Sequence, residues 1–426
     1  MNMFNSDIRA YRKLLSADLK YAPFYGDSFW TRYMGFVGSK GNYPQSVALG
    51  SSETKRLTAT GKPIEVLTNF MDEPGDTMEI PLQNPLTDQP LYDTQLLNNE
   101  EEPKLTYMTV HTHIFRKGVV LRDSKVSEQV LKKIAKKLMG QSQANLKDYF
   151  RRLIGYQPYL ALLEKYSANL TAAKAVSGGL GLTPVLHPNF FVAGTTKPTW
   201  SETPATYATN VANALATLTD TASKRMSAEM VKKMVREASL LKIRPATNIN
   251  GTLLYDIVMS EAAAYDLSKD TEFQTAFNYA YMGAQDKSKL NYGQIDGTVF
   301  FNALIHVDQT IPDAKITGDT GFDSSKTVSF GNYNTYMANP ISAGQRKLAI
   351  LFGASAVGCG YAAPLSFEQE NWDYKYKLTE GADMYIGFER ADILDFDGKY
   401  GTAGYLKENA SSLVVAHWAD NNTVTF

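Results

Sequence analysis

Five histidines, one cysteine and a few glycine-rich runs are the residues with which this chain could do chemistry. His111 and His113 stand two apart, so on a strand both rings project from one face, as a metal-ligating pair would. His187, His306, His417 and Cys359 are the only other His or Cys residues. That ligand set is too sparse for a zinc-type site, so structural histidines are expected, with no metal and no cofactor. Gly353-Ala354-Ser355-Ala356-Val357 begins like a turn that presents a nucleophilic serine, but it lacks the closing glycine. Gly358-Cys359-Gly360 with Ala363 mimics a dinucleotide fingerprint, which needs a strand before it, a helix after it and an acidic residue about twenty positions on. A tightly packed small-residue helix is expected there instead. Gly61-Lys62 is followed by Pro63, not Ser or Thr, which excludes a Walker loop. Cys359 lies in an apolar run and reads as an inert core thiol. Glu100, Glu101 and Glu102 fall on an expected exposed loop, where burial does not tune carboxylates. No catalytic constellation emerges, and the chain reads as a non-enzyme.

A chain without reaction chemistry works through its surfaces, and composition bounds what those surfaces meet. Lys plus Arg number 43 against 44 Asp plus Glu, a net charge of -1 with no case for dedicated nucleic-acid binding. The longest apolar runs, such as Leu348 to Val357, fall short of the ~20 residues that span a bilayer, and no signal peptide opens the chain. A soluble protein without a membrane partner is expected. One cysteine excludes an internal disulfide framework and fits a reducing compartment. At 426 residues the chain exceeds the ~250 to 300 at which a single core stops growing, so two or more subdomains are expected.

The stretch from Asp76 to Arg152 organises the rest. Thr77 to Leu82 and Leu105 to Leu121 are rich in β-branched and aromatic residues, which predicts two strands, with a possible break at Gly118. If extended, the second would span about 56 Å and project beyond its own domain. Between them, Gln83 to Pro103 is a polar connection longer than the ~15 residues at which loops become functional or disordered. From Ser124, a candidate N-cap, to Arg152 the period turns helical: Val130, Leu131, Ile134 and Leu138 share one arc, and Lys132, Lys133, Lys136 and Lys137 the other. Such a helix measures about 43 Å, with Gly140 as its expected weak point.

The flanks are less distinctive. Met1 to Tyr43 interleaves aromatics with Arg9, Arg12, Lys13 and Lys20, the composition of an arm that packs on a neighbouring subunit. Tyr156 to Ala175, Thr206 to Thr221, Ser227 to Leu241 and a short segment from Thr271 read as helices. Thr252 to Met259 after Asn250-Gly251, Val299 to His306 and Ser411 to Trp418 read as strands. Lys347 to Ala356 is a buried helix or strand, ambiguous by length.

The runs GDTMEIPL at 75–82 and NNEEEPKLTYMTV at 98–110, with the long helix after them, resemble the major capsid proteins of tailed phages, in the phage capsid-like family of large podoviruses. Gly251 to Leu267, Gly293 to His306, Leu348 to Ala356 and Asp373-Tyr374 follow in the same order. The resemblance implies an α+β chain with the Hong Kong 97-type capsid fold. It assigns an N-terminal arm to 1–45, a lead-in to 46–75, the E-loop hairpin to 76–121, and the spine helix and peripheral domain to 122–205. The axial domain takes 206–395, and 396–426 returns to the peripheral domain. The implied function is a structural major capsid protein whose hexamers and pentamers form the icosahedral shell around a double-stranded DNA genome, located in the virion and assembled in the host bacterial cytoplasm.

Implied partners are further copies of the chain, a separate scaffolding protein, a portal, in some cases a decoration protein, and packaged DNA touched non-specifically at most. Gln83 to Pro103 contains no lysine, so the covalent subunit crosslinking of some relatives is not expected. Glu100, Glu101 and Glu102 are expected to meet Lys132, Lys133, Lys136 and Lys137 of a neighbouring subunit. A β-rich virion surface or tail binding module is the alternative, and it would form a discrete small oligomer.

Overall fold

The computed structural model describes residues 30, 34–37, 62–67, 77–83, 105–122, 128–165, 185–196, 198, 204–241, 243–249, 252–283, 295–308, 310–317, 327–330, 345–372, 377–390 and 411–419. In chain order come β1 (Met34–Val37), β2 (Ile64–Leu67), β3 (Thr77–Gln83), β4 (Leu105–His111), β5 (His113–Arg122) and the long helix α1 (Glu128–Leu163). Next are β6 (Glu164–Lys165), β7 (Val185–Leu186), β8 (Phe190–Val192), α2 (Pro204–Ala216), α3 (Ala228–Leu240), β9 (Thr247–Ile249) and β10 (Thr252–Met259). Helices α4 (Glu261–Lys269) and α5 (Thr271–Gly283) precede β11 (Thr298–Phe300), β12 (Ala303–Val307), β13 (Lys315–Thr317) and β14 (Thr327–Ser329). The last strands are β15 (Arg346–Phe352), β16 (Val357–Trp372), β17 (Lys377–Arg390) and β18 (Ser412–Trp418).

Two sheets dominate. A seven-stranded sheet has the order β11-β12-β10-β15-β18-β8, with β9 paired to β10, and a five-stranded sheet has the order β1-β2-β16-β17-β5. In the first, the last six residues of β10 are buried, the near-continuous apolar run of a strand covered on both faces. The KLAILF stretch proves to be strand, because it pairs with β10 on one side and β18 on the other. Helix α3 starts where Ser227 accepts a hydrogen bond from Met230 N, and α4, not expected from sequence, starts at the same device in Ser260 and Ala263 N.

Several expectations give way to longer-range packing. Helix α1 runs unbroken for 36 residues through Gly140, Gly155 and Pro158, joining two expected helices, and ends at Leu163 before the strand Glu164–Lys165. The rest of the second expected helix, 166–175, lies outside the described residues. Pro158 removes one helical hydrogen bond, but Tyr156, Tyr159 and Leu160 to Leu163 around it are all buried, and that burial holds the last turns in place. The expected single strand Val299 to His306 is a hairpin: Phe301 and Asn302 take φ of 45° and 60°, and Phe300 pairs with Ala303 across them, the geometry of a two-residue primed turn. Gly358-Cys359-Gly360 lies in β16, not in a helix. Trp30, grouped with an arm expected to pack on a neighbour, sits in this chain's own core, with ring centroids 4.8 Å from Tyr159 and 5.2 Å from Phe352; Met34–Val37 likewise pairs with β2.

The grouping of segments also differs. Residues 206–395 were expected as one unit, yet β10 and β15 lie in the seven-stranded sheet while β16 and β17 pair with β2 and β5 in the other. The chain changes sheets at the turn 353–356, where Ser355 has φ 55° and its N–H and that of Val357 donate to the Lys62 and Pro63 carbonyls. Ser412–Trp418, expected to return to the peripheral domain, lies between β15 and β8 in the seven-stranded sheet. Its SLVVAH stretch is buried throughout, which suits a slot closed on both faces.

Candidate assembly surface

The five-stranded sheet is covered on one face by α1; on the other, among the described residues, β4 crosses at Gly387 and the stretch around β5 is left open. Along β17, Glu380, Ala382, Met384 and Ile386 are buried while Thr379, Gly381, Asp383 and Tyr385 are half-exposed, the period-two pattern of a strand packed on one side. Helix α1 supplies the cover: Gln143 Nε2 donates to Glu380 Oε1 at 2.6 Å, and Lys117 Nζ lies 5.2 Å from the centroid of the Tyr149 ring. On the opposite face Ile114 and Val120 of β5 are 61% and 60% exposed.

Between those two apolar side chains lies a shallow depression of about 500 Å³ lined by Arg116, Gly118, Glu368, Glu370, Gly381 and Asp383 among others. Gly118 and Gly381 are direct cross-strand partners. A Cβ on either would meet nothing closer than 3.8 Å, so no packing among the described residues explains them. They leave bare backbone that another chain can approach closely. Among the described residues strand β5 is also an edge of the sheet, and an unpaired edge is a template for association.

The β3–β4 ribbon continues from β5 and pairs from Thr77↔His111 to Gln83↔Leu105, leading out to residues 84–104, which lie outside the described residues. Among the described residues neither strand pairs with a third. Its inner end packs on this chain, where β4 crosses β17 and Val110 is buried. Two strands beyond such support are at best marginally stable in water, so the outer part of the ribbon suits a surface to lie on.

The chemistry-bearing residues are occupied with structure. His111 and His113 end up in different sheets on either side of Thr112: His111 Nδ1 is 2.6 Å from Glu389 Oε1, and the His113 ring stands edge-on to Phe115. His306 Nε2 is 3.1 Å from Asp256 Oδ1, whose partner oxygen accepts from Thr247 Oγ1 at 2.6 Å. His187 Nε2 lies 2.9 Å from Ser412 Oγ. Ser355 does sit on a strained turn, but between two strands, and its Oγ donates to Glu65 Oε1 at 3.0 Å. Burial pushes the Cys359 thiol well above its usual range, which makes it unreactive. No group of three or more His, Cys, Asp or Glu among the described residues could hold a metal ion.

The family model described as phage capsid protein matches residues 45–420. The chain belongs to that family. Solved structures agree on the fold. The capsid of Ralstonia phage GP4 is 15% identical with a TM-score of 0.56, covering 91% of this chain and 97% of its own. The capsid asymmetric unit of cyanophage Pam1 is 16% identical at a TM-score of 0.54, covering 89% and 96%. The acid-stable capsid of Helicobacter pylori bacteriophage KHP30 is 13% identical at 0.54, covering 90% and 95%. No curated protein sequence matches. The molecule is a structural major capsid protein with the Hong Kong 97-type fold.

Among the contact residues expected for this capsid protein, Glu100, Glu101 and Glu102 lie outside the described residues. Lys132, Lys133, Lys136 and Lys137 fall within α1, ahead of the part that covers the sheet, and their side chains also lie outside the described residues. The open stretch of sheet was missed, because the sequence reading expected a small-residue helix at the start of β16 and assigned no strand to the rest of β16 or to β17. The alternation in Ala382-Asp383-Met384-Tyr385-Ile386 was a legible signal for one covered face.

Proposed function

We propose that copies of this chain assemble into hexamers and pentamers that close the icosahedral shell of a tailed phage around its double-stranded DNA. The observation that carries the proposal is the two-stranded ribbon, which leaves a body whose own sheet keeps the stretch around β5 open on one face. Both features are incomplete in a single copy and complementary in a ring, where heterologous contacts close on themselves. Under this reading the five-stranded sheet with α1 is the peripheral domain, the seven-stranded sheet is the axial domain, and residues 76–121 are the E-loop hairpin. The loop glutamates Glu100 to Glu102 meet Lys132, Lys133, Lys136 and Lys137 of a neighbour. Assembly takes place in the host cytoplasm with a separate scaffolding protein and a portal, DNA is touched without specificity, and the chain catalyses no reaction.

Negative-stain electron microscopy with size-exclusion chromatography, across a range of concentrations and with or without co-expressed scaffold, tests this. Shells, tubes or capsomer rings are expected. A strict small oligomer under every condition would overturn the proposal in favour of a binding module.

A further inference from the structure

Strands β4 and β5 are nearly continuous in sequence yet belong to different sheets, and the change occurs at Thr112. His113 pairs with Ile386 at the end of the β5–β17 ladder. The preceding residues leave the ladder and pass over β17 at Gly387. A Cβ on Gly387 would lie 2.0 Å from the His111 carbonyl oxygen and 2.9 Å from Thr112 Cα, so any side chain there would force the crossing strand away. Gly387 and Glu389 are two apart on β17 and so project from the same face, the one opposite α1. Glu389 Oε1 accepts from the His111 backbone N–H at 3.2 Å and lies 2.6 Å from His111 Nδ1. The two side chains are only 12% and 6% exposed, and Val110 and Thr112 on either side of His111 are buried.

We infer that Gly387 and Glu389 form a clamp that fixes the angle at which the ribbon leaves the body, and so decides where its tip meets a neighbouring copy. The consequence for assembly rests on the capsid reading; the clamp itself does not. Leverage makes the angle matter. The seven rungs from Thr77↔His111 to Gln83↔Leu105 extend about 24 Å, so a tilt of about 10° moves the far end by about 4 Å, close to one strand spacing. An error of that size is enough to spoil register with another chain. Gly387 sets how near the strand passes, and Glu389 holds backbone and ring of the crossing residue at one carboxylate oxygen, which resists rotation about the crossing. Both are positioning residues, and His111 is the residue they position.

The test is hydrogen exchange on the unassembled protein as wild type, Glu389→Ala and Glu389→Gln. In the Ala variant, amides of Thr106 to Val110 are expected to exchange on the order of tenfold faster, the scale of losing a hydrogen bond to a charged group. Amides of β10 and β15 should keep wild-type protection. The Gln variant, whose side-chain oxygen still accepts from His111 N–H, should restore most of the ribbon's protection. Particles grown from the Ala variant should be mixed in diameter where wild type and Gln give one size. Unchanged ribbon exchange in the Ala variant would overturn the clamp, as would β10 and β15 losing protection in step with it, the mark of a general stabilising role. Exchange is read on free subunits, so that failure would leave the capsid reading intact, whereas a wild-type chain that never forms shells would remove the capsid reading alone.

Discussion

In the seven-stranded sheet, β10, β15 and β18 lie side by side with almost every residue buried, and Ile257, Ile350 and Val414 at its centre have no exposed surface. In the five-stranded sheet, among the described residues, α1 packs one face, while on the other the β3–β4 ribbon crosses at Gly387 and Ile114, Val120 and the Gly118–Gly381 pair are left open. The centre of the first sheet is closed within one copy of the chain, although Leu253 and Val299 toward its β9 and β11 end are 54% and 50% exposed. Under the proposed assembly the second is half of an interface, so stability and assembly should respond separately to changes in the two regions.

The strongest way to break that separation is to cut the ribbon. Replacing residues 84–104 with an Asn-Gly turn should abolish shells in electron microscopy, yet change the free energy of unfolding of the free subunit by no more than about 0.5 kcal/mol, as for surface changes in general. A collapse of subunit stability would show that the ribbon belongs to the body after all. Ile350→Ala is the complementary change. Cavity formation in the closed sheet should cost about 2 to 5 kcal/mol in urea unfolding, and a cost below about 1 kcal/mol would mean that this sheet is not the stable half.

Acid sharpens the comparison. Burial, with Lys347 adding a smaller effect, lowers the His417 pKa from 6.5 to about 4. The folded state therefore resists a proton that the unfolded chain accepts near pH 6.5. Stability should fall as pH drops from about 6.5 to about 4 and level off for this group below that, a loss on the order of 3 kcal/mol. His417→Leu should remove that part of the acid sensitivity, measured as the difference between urea midpoints at pH 7 and pH 4.5. Equal sensitivity in both proteins would contradict it. The smallest effect is expected from reversing Glu100, Glu101 and Glu102 to lysine. Exposed pairs contribute about 0 to 1 kcal/mol each, so assembly yield by sedimentation should drop while intact shells remain stable; unchanged yield would remove the proposed pairing with the α1 lysines.

Much of the fold was legible where the signals are local. Ser227 caps α3, Thr252 to Met259 is a strand, and the acidic connection between two strand-forming runs announced the hairpin. What the residues did not reveal was pairing between distant segments. Phe352 and Val357 are five positions apart, but a tight turn sends them into different sheets, and no local pattern encodes that divergence. The gap expected between Arg152 and Tyr156 does not exist, because Leu153 and Ile154 are buried and carry the helix across it. Thr112 reads as the middle of one strand, because the cause of the break, Gly387, lies far along the chain. The contact surface was legible only in part for the same reason: the hairpin was foreseen from local sequence, whereas the open stretch of sheet depends on β5, β16 and β17 coming together.

The most direct measurement is hydrogen exchange of assembled shells against free subunits. Protection should rise along Thr77 to Gln83, Leu105 to Val110 and the β5 edge from Ile114 to Val120, while β10, β15 and β18 stay as protected as they were in the free subunit. A rise confined to the seven-stranded sheet, with the ribbon and β5 unchanged, would contradict the division between a self-sufficient half and an interface half.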